Sequence, residues 1–151
     1  MQVEERRTFP VALKKAWDYV VDFRHWPDWY VGLSNIIDPA AGSWELPGDE
    51  VRNEYRLLGR RLEGVSRIEE MSEHNMTRFT SRIPGMPVVS QEWNWIDQGD
   101  HCDVVVTLET EDTVRFFERV IENTQLPPTL RRDLTESLEN LHTILDLGIH
   151  E

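Results

Sequence analysis

The last part of the chain constrains the fold most, because it has the pattern of one long amphipathic helix between Pro127 and Gly148. Apolar residues recur there every three or four positions, which at about 100° per residue forms a single stripe along a helix. Prolines suit a first helical turn, and glycine suits a C-terminal stop. The stripe consists of Leu130, Leu134, Leu138, Leu141, Ile144 and Leu145. Such a helix needs a surface to cover.

That surface is predicted to be a β-sheet, because most of the preceding sequence alternates in the manner of strands separated by turn residues. Val3–Phe9 alternates first, and a short strand follows at Ile36–Ile37 after two intervening helices. The short connections require antiparallel neighbours, so the strands form a meander. Its longer strands are expected at about 50–58, 61–71, 76–83, 87–97 and 101–111.

Two short helices are predicted between the first two strands. The first opens after Pro10 and ends near Phe23, with an apolar stripe of its own. The second falls in the aromatic segment 24–30, which Pro27 separates from the first helix. A further short helix is expected at about 113–123, capped by Asp112 or Thr113.

The size and charge of the chain limit what it can bind. With 151 residues and 39% hydrophobic content, residues 1–151 are expected to form one domain large enough to contain a cavity. Lys and Arg total 16 against 28 Asp and Glu, and the net charge of -12 repels phosphate backbones and anionic lipid surfaces. Nucleic acid is therefore not an expected partner, and the acidic surface has a simple explanation in solubility.

Several functional classes lack their sequence signals. A single cysteine, Cys102, excludes an intramolecular disulfide, and no apolar run reaches the length of a signal sequence or membrane span. We therefore expect a cytoplasmic protein without membrane insertion. No metal-spaced Cys/His cluster, phosphate-binding glycine loop or hydrolase elbow is present, so neither a metal nor a cofactor is expected. The oligomeric state has no signal in the sequence.

The order of elements and two local motifs resemble a known superfamily. Thr8–Pro10 leading into Ala16–Val20 and then Asp22–Trp29, with its Trp-Pro-x-Trp segment, is similar to the opening of the START-like helix-grip superfamily (SRPBCC). The similarity is to its polyketide cyclase/dehydrase and lipid-transport branch, and Leu138–Leu141 is similar to that branch's usual ending. The resemblance implies an α+β fold: a curved antiparallel sheet of about seven strands wrapped around the long C-terminal helix, two short helices between the first and second strands, and a ligand cavity. It does not imply one reaction.

Alternation predicts which side chains face the helix, because successive strand residues point to opposite faces of a sheet. Charged residues mark the outer face of every strand in the meander, and the inner face carries apolar and neutral polar groups. Only Tyr55 and Cys102 are titratable among them. The inward set is Val51, Asn53, Tyr55, Leu57, Leu62, Gly64, Ser66, Ile68, Thr77, Phe79, Ser81, Ile83, Val89, Gln91, Trp93, Trp95, Cys102, Val104, Val106 and Leu108.

The polar members of this inner face are candidate ligand contacts. A buried polar group left unpaired costs roughly 1–3 kcal/mol, so several of them indicate either a cavity or a core in which they satisfy one another. The tryptophans form cavity walls or fill the core. Ser137 interrupts the helical stripe, and it either bonds back to the Asp133 carbonyl or faces the cavity. The predicted ligand-binding residues are Asn53, Tyr55, Ser66, Phe79, Ser81, Gln91, Trp93, Trp95 and Ser137.

A second group of residues has weaker signals. Glu5 and Arg7 share a strand face with two hydrophobes, so they form either a solvent-exposed ion pair or a charged pair that points into the cavity. Trp29 either packs in the core or reaches the cavity. Successive turns of a meander alternate between the two ends of the sheet, and this alternation places Met86 and Phe117 at the same end, near a cavity mouth. The helix at about 113–123 either acts as a lid there or packs on the core. His142 lies at the edge of the helical stripe.

Three functions follow from these features. The first is binding or carrying a mostly apolar small molecule, such as a lipid, polyketide or aromatic compound, in the cavity between sheet and helix. The second is an enzyme of the polyketide cyclase/dehydratase type, in which Tyr55 is the catalytic acid, since it is the inward phenol of the meander. The third is a protein-interaction module that uses the acidic surface and Trp44.

Overall fold

Seven antiparallel strands form one sheet, and a long C-terminal helix belongs to the same buried core. The computed structural model describes residues 2–37, 46–57, 59–110 and 126–148. In chain order the elements are β1 (Gln2–Phe9), α1 (Leu13–Val21), a 3₁₀ turn (Phe23–His25), α2 (Trp26–Trp29), β2 (Leu33–Ile36), β3 (Glu50–Leu57), β4 (Arg60–Ser72), β5 (Met76–Arg82), β6 (Val89–Asp97), β7 (Cys102–Thr110) and α3 (Leu126–Leu147).

The sheet is the predicted meander closed by the first strand. Its order is β1-β7-β6-β5-β4-β3-β2, so each of the strands β2 to β6 pairs with the strand that follows it in the chain. β1 pairs with β7 at one edge, from Gln2 opposite Glu109 to Phe9 opposite Cys102. The short helices lie between β1 and β2, which are the two edge strands. This arrangement confirms the predicted α+β helix-grip fold.

The apolar stripe of α3 is buried along its length. Leu134, Leu138, Leu141 and Leu145 are all at most 1% exposed, and they share one core with the aromatic residues of α1, α2 and β6. The helix ends at the predicted position, where the Gly148 N–H lies 3.4 Å from the Leu145 carbonyl oxygen. Burial of this stripe therefore joins the helix to the sheet.

Element boundaries differ from the prediction mainly around β2. The strand begins at Leu33 rather than Ile36, and Leu33 is 3% exposed and pairs with Tyr55. Leu33 stands between Gly32 and Ser34, so the sequence here has almost no alternation of apolar and polar residues that would indicate a strand. The pairing with β3 determines this strand instead. The first helix begins at Leu13 and ends at Val21, and the aromatic segment divides into a 3₁₀ turn and a four-residue α-helix.

Some sequence predictions lie outside the described residues. They concern the helix at about 113–123, with Phe117, and the loop residue Trp44. Within the described ranges, no helix combines the length and apolar character needed to cross a bilayer.

Candidate functional site

A cavity lies between the inner face of β3–β6, the segment that follows α2, and the first turns of α3. Its volume is about 70 Å³. A buried water needs only about 10–15 Å³, whereas pockets for drug-sized ligands measure about 300–1,000 Å³. The wall residues are Phe23, Trp26, Tyr30, Val31, Gly32, Leu33, Tyr55, Arg56, Ser66, Phe79, Ser81, Ile83, Val89, Gln91, Leu130 and Asp133.

Three hydroxyl groups form a cluster on the sheet side of the cavity. The Tyr55 hydroxyl lies 2.8 Å from Ser66 Oγ and donates to Ser81 Oγ at 3.2 Å, while the two serine oxygens are 3.1 Å apart. Behind them, Asn53 Nδ2 donates to Ser66 Oγ at 3.0 Å. Because these groups satisfy one another, the Tyr55 side chain is held against the wall.

Gly64 makes room for the Tyr55 ring. A Cβ at this position would lie 3.1 Å from Tyr55 Cε2, 2.8 Å from the Arg82 carbonyl oxygen and 2.9 Å from Ile83 Cγ1. The backbone oxygen cannot move as easily as the end of a flexible side chain. Only glycine therefore fits between Tyr55 and β5 without a shift.

A second polar chain connects the cavity to the core. Trp93 Nε1 donates to Gln91 Oε1, and Gln91 Nε2 donates to the Tyr30 hydroxyl at 3.1 Å. Trp93 is fully buried and Tyr30 lies on the cavity wall. Gln91 is thus oriented at both ends, and the Tyr30 hydroxyl is positioned beside the cavity.

Asp133 brings a carboxylate to the wall from the first turns of α3. Its side chain is 14% exposed, and Oδ1 lies 3.7 Å from Arg132 Nε, whose own side chain is 66% exposed. Oδ2 points toward Gly32, where an added Cβ would lie 3.9 Å from it. Burial and the nearby Glu136 raise the pKa of Asp133, against the opposite effect of Arg132.

The two wall tyrosines are held in the neutral form. Burial is the main cause that raises the pKa of Tyr55, and hydrogen bonds with the Ser66, Ser81 and Asn53 side chains oppose it. Burial also raises the pKa of Tyr30, and the Tyr55 phenol and Asp133 carboxylate add to the effect against the hydrogen bond with Gln91. Both phenols therefore remain hydrogen-bond donors well above neutral pH.

The predicted ligand-binding residues divide into two groups. Tyr55, Ser66, Phe79, Ser81 and Gln91 lie on the cavity wall. Asn53, Trp93, Trp95 and Ser137 are buried behind it.

Ser137 shows why burial alone does not place a side chain at the cavity. Its hydroxyl donates to the Asp133 carbonyl at 2.5 Å and accepts from the Val31 N–H at 2.9 Å. It therefore takes the backbone-bonded alternative and also holds the segment after α2 against α3. The carbonyl it bonds belongs to the residue whose carboxylate reaches the wall.

Glu5 and Arg7 belong to β1, and the Glu5 side chain contacts α3 away from the cavity wall. Arg7 NH1 donates to Glu5 Oε2 at 3.2 Å, and Glu5 Oε1 lies 3.4 Å from Thr135 Oγ1 and 3.8 Å from Arg131 NH1. Both side chains are partly buried, so the pair is neither a free surface ion pair nor a cavity contact.

The remaining weaker candidates also lie off the wall. Trp29 is 1% exposed, packs edge-on against Trp93 at 5.8 Å between ring centroids, and backs a separate shallow surface groove. Met86 and His142 are half-buried and are not wall residues, and Phe117 lies outside the described residues. Cys102 is fully buried, and burial, followed by Asp103 and Asp97, raises the pKa of its thiol to about 11.

Tyr30 and Asp133 are not among the site residues predicted from the sequence. Tyr30 follows a helix in an irregular segment, where no periodicity assigns a direction. Asp133 did have a signal, because it lies three residues after Leu130 and four before Ser137. That spacing places it on the apolar stripe of α3, where an acidic residue is unusual.

Comparison with protein families agrees with this architecture. Residues 1–146 match a family model described as polyketide cyclase/dehydrase and lipid transport. No curated protein matches the sequence.

Solved structures share the fold at low sequence identity. A protein from Thermus thermophilus is 16% identical with a TM-score of 0.76, covering 98% of this chain and 99% of that one. A START superfamily protein from Mycobacterium smegmatis is 16% identical with a TM-score of 0.68, covering 95% and 93%. The Zhui aromatase/cyclase from a Streptomyces species is 17% identical with a TM-score of 0.60, covering 99% and 90%. At these identities the likeness concerns the fold.

Proposed function

Because this chain belongs to the polyketide cyclase/dehydrase and lipid transport family, we propose that it binds or carries a mostly apolar small molecule between the sheet and α3. The observation that carries the proposal is the cavity, whose walls are mainly aromatic and aliphatic. A few oriented polar groups interrupt them, namely the Tyr55, Ser66 and Ser81 hydroxyls and the Tyr30–Gln91 pair. This combination of apolar walls and few convergent polar groups is typical of small-molecule sites.

The size of the cavity supports partial enclosure of the ligand. The cavity volume of about 70 Å³ accommodates a small ring or a chain end, and the rest of a larger ligand would lie outside it. Burial of apolar surface gives about 25 cal/mol per Å², so even a small ring gains affinity there. Trp26 lies on the wall and provides a fluorescence signal for binding.

Replacing Val89 with phenylalanine is expected to weaken binding of a neutral apolar probe such as Nile red by about tenfold or more, equivalent to about 1.4 kcal/mol. Val89 lies on the cavity wall, so the larger ring occupies the space of the ligand. Probe fluorescence and quenching of tryptophan emission measure the affinity.

The matched control is Val88→Phe, because Val88 lies on the other side of the sheet, in a groove with Arg78, Thr80 and Ser90. This variant should bind the probe with the wild-type affinity. Equal binding by the Val89→Phe variant and the wild type would contradict the proposed site, and absence of binding by the wild type would contradict the proposed function.

A second candidate is a cyclase/dehydratase-type reaction with Tyr55 as acid. The observation that favours it is a neutral phenol held on the wall by two serine hydroxyls. A phenol with a raised pKa gives up its proton less readily than an ordinary one, but it remains a donor that can polarise a carbonyl group. Because the pKa of Tyr55 is raised, the protonation state of its phenol is the first quantity to test.

Tyr55 is expected to remain protonated at pH 10 in the folded protein, whereas an ordinary tyrosine is half-ionised there. The stabilising contribution of this neutral phenol is complete below about pH 10 and is lost as the pH rises through its folded-state pKa. The difference between the tyrosinate absorbance of the wild type and the Tyr55→Phe variant isolates this titration. Ionisation of Tyr55 below pH 10 would contradict the raised pKa, and unchanged turnover of an aromatic polyketide by Tyr55→Phe would exclude the acid role.

The finer expectations from composition remain predictions. They are a cytoplasmic location, one domain over residues 1–151, and no nucleic-acid partner, all of which rest on the acidic charge and the sequence signals described above. A protein-interaction role through the acidic surface is the least supported alternative, because that surface has a simple explanation in solubility. Trp44 lies outside the described residues.

A further inference from the structure

Asp133 is the one acidic side chain among the described residues of the cavity wall. Its Oδ1 atom faces Arg132 across 3.7 Å, and none of the described residues donates a hydrogen bond to Oδ2. Oδ2 lies beside Gly32, which is also a wall residue. Gly32 has a φ of +96°, so its backbone conformation and its closeness to the Arg56 carbonyl both favour glycine there. At this wall the carboxylate thus has an acceptor oxygen to which no residue of the described ranges donates.

The cationic wall residue does not neutralise this carboxylate. Arg56 is exposed, its position in β3 alternates with the inward Tyr55, and the charges that act on Asp133 are those of Arg132 and Glu136. Arg132 is itself mostly exposed, so its charge is screened by solvent. The nearby Tyr30 phenol is neutral, and the Asp133 carboxylate is one of the groups that raise its pKa.

An acceptor of this kind discriminates among ligands by charge. A hydroxyl or protonated amine on the ligand can donate to Oδ2 in a charge-assisted hydrogen bond, which is stronger than a neutral one. A ligand carboxylate would place a second negative charge in the same partly desolvated space, where like charges repel strongly.

We propose that Asp133 determines the ligand class of the cavity: apolar molecules with a hydroxyl, phenol or protonated amine group bind, and apolar carboxylates such as free fatty acids are rejected. This inference rests on the proposed binding function, and it goes further by excluding one of the commonest classes of lipid ligand. It also assigns Asp133 as the residue that makes the distinction.

The test compares three ligands with the same ring: 2-naphthalenemethanol, 2-naphthylmethylamine and 2-naphthoic acid, in competition with Nile red at neutral pH. The wild type is expected to bind the alcohol and the amine about tenfold or more tightly than the acid. Asp133→Asn, which keeps the shape of the side chain and removes its charge, should reduce this difference to within about threefold, mainly by tighter binding of the acid.

The matched control is Glu139→Gln, which changes the net charge equally at an exposed position of the same helix. It should keep the wild-type ligand preference. The order of the three ligand affinities in the wild type tests the inference even if a variant does not fold. Binding of the acid as tightly as the alcohol would overturn the role of Asp133 while leaving the binding function intact. An equal change of preference in both variants would also overturn it, because net charge would then be the cause. If Nile red and all three ligands fail to bind the wild type, the binding function and this inference fall together.

Discussion

Replacing Leu138 with alanine is expected to reduce the free energy of unfolding by about 2–5 kcal/mol, the range typical of a leucine removed from a close-packed core. Leu138 is fully buried at the middle of the α3 stripe, in one core with the β6 tryptophans. The substitution removes apolar contacts and leaves a cavity that its neighbours fill only in part. Since this helix forms one side of the ligand cavity, looser packing should also weaken binding of Nile red.

Urea denaturation of the wild type and the variant measures this effect. Leu147→Ala is the matched control, because it makes the same change on the same helix at a side chain that is 66% exposed. Its effect should stay within about 0.5 kcal/mol of zero. A loss below about 1 kcal/mol in Leu138→Ala would contradict the packing of α3 against the sheet.

Replacing Ser66 with alanine is expected to cost roughly 1–3 kcal/mol, because it removes a hydrogen-bond acceptor from a buried amide. Asn53 is fully buried, and its Nδ2 atom donates to Ser66 Oγ at 3.0 Å. Its Oδ1 atom already has no hydrogen-bond partner among the described residues, so among them the amide would keep only the Tyr55 hydroxyl. The Tyr55 hydroxyl would lose Ser66 and keep Ser81 and Asn53.

This variant also tests whether the hydroxyl cluster orients Tyr55. Removal of the Ser66 hydrogen bond, which favours the phenolate, should raise the pKa of Tyr55 further, and the tyrosinate titration measures that change. Ser72→Ala is the control, because Ser72 is an exposed residue of the same strand. If the two variants have equal stability and equal tyrosine titrations, the cluster has no structural role.

Faces could be assigned from the sequence because they depend on local periodicity. In the strands, the predicted inward residues include Asn53, Ser66, Gln91 and Trp93, and each of them is at most 7% exposed. In the last helix, the spacing of Leu134, Leu138 and Leu141 identified the buried side. These predictions succeed because one inverted register would expose every apolar residue of an element at once.

Positions within the core could not be assigned in this way. Ser137 and Gln91 have the same inward signature, yet Gln91 lies on the cavity wall while Ser137 bonds to Val31, 106 positions away in the chain. Periodicity is a property of one element, whereas a cavity is the space left between several elements. The relative placement of α2, β2 and α3 therefore decides which inward side chain meets a ligand.

The sequence by itself determined the sheet, the long helix and the direction of their side chains, because alternation and helical spacing are local and repeated many times. Only the tertiary structure decided that Asp133 reaches the cavity, that Tyr30 joins Gln91, and that Gly64 gives Tyr55 its space. Each of these depends on a contact between residues distant in the chain, and the energy of such a contact has no counterpart in local sequence pattern.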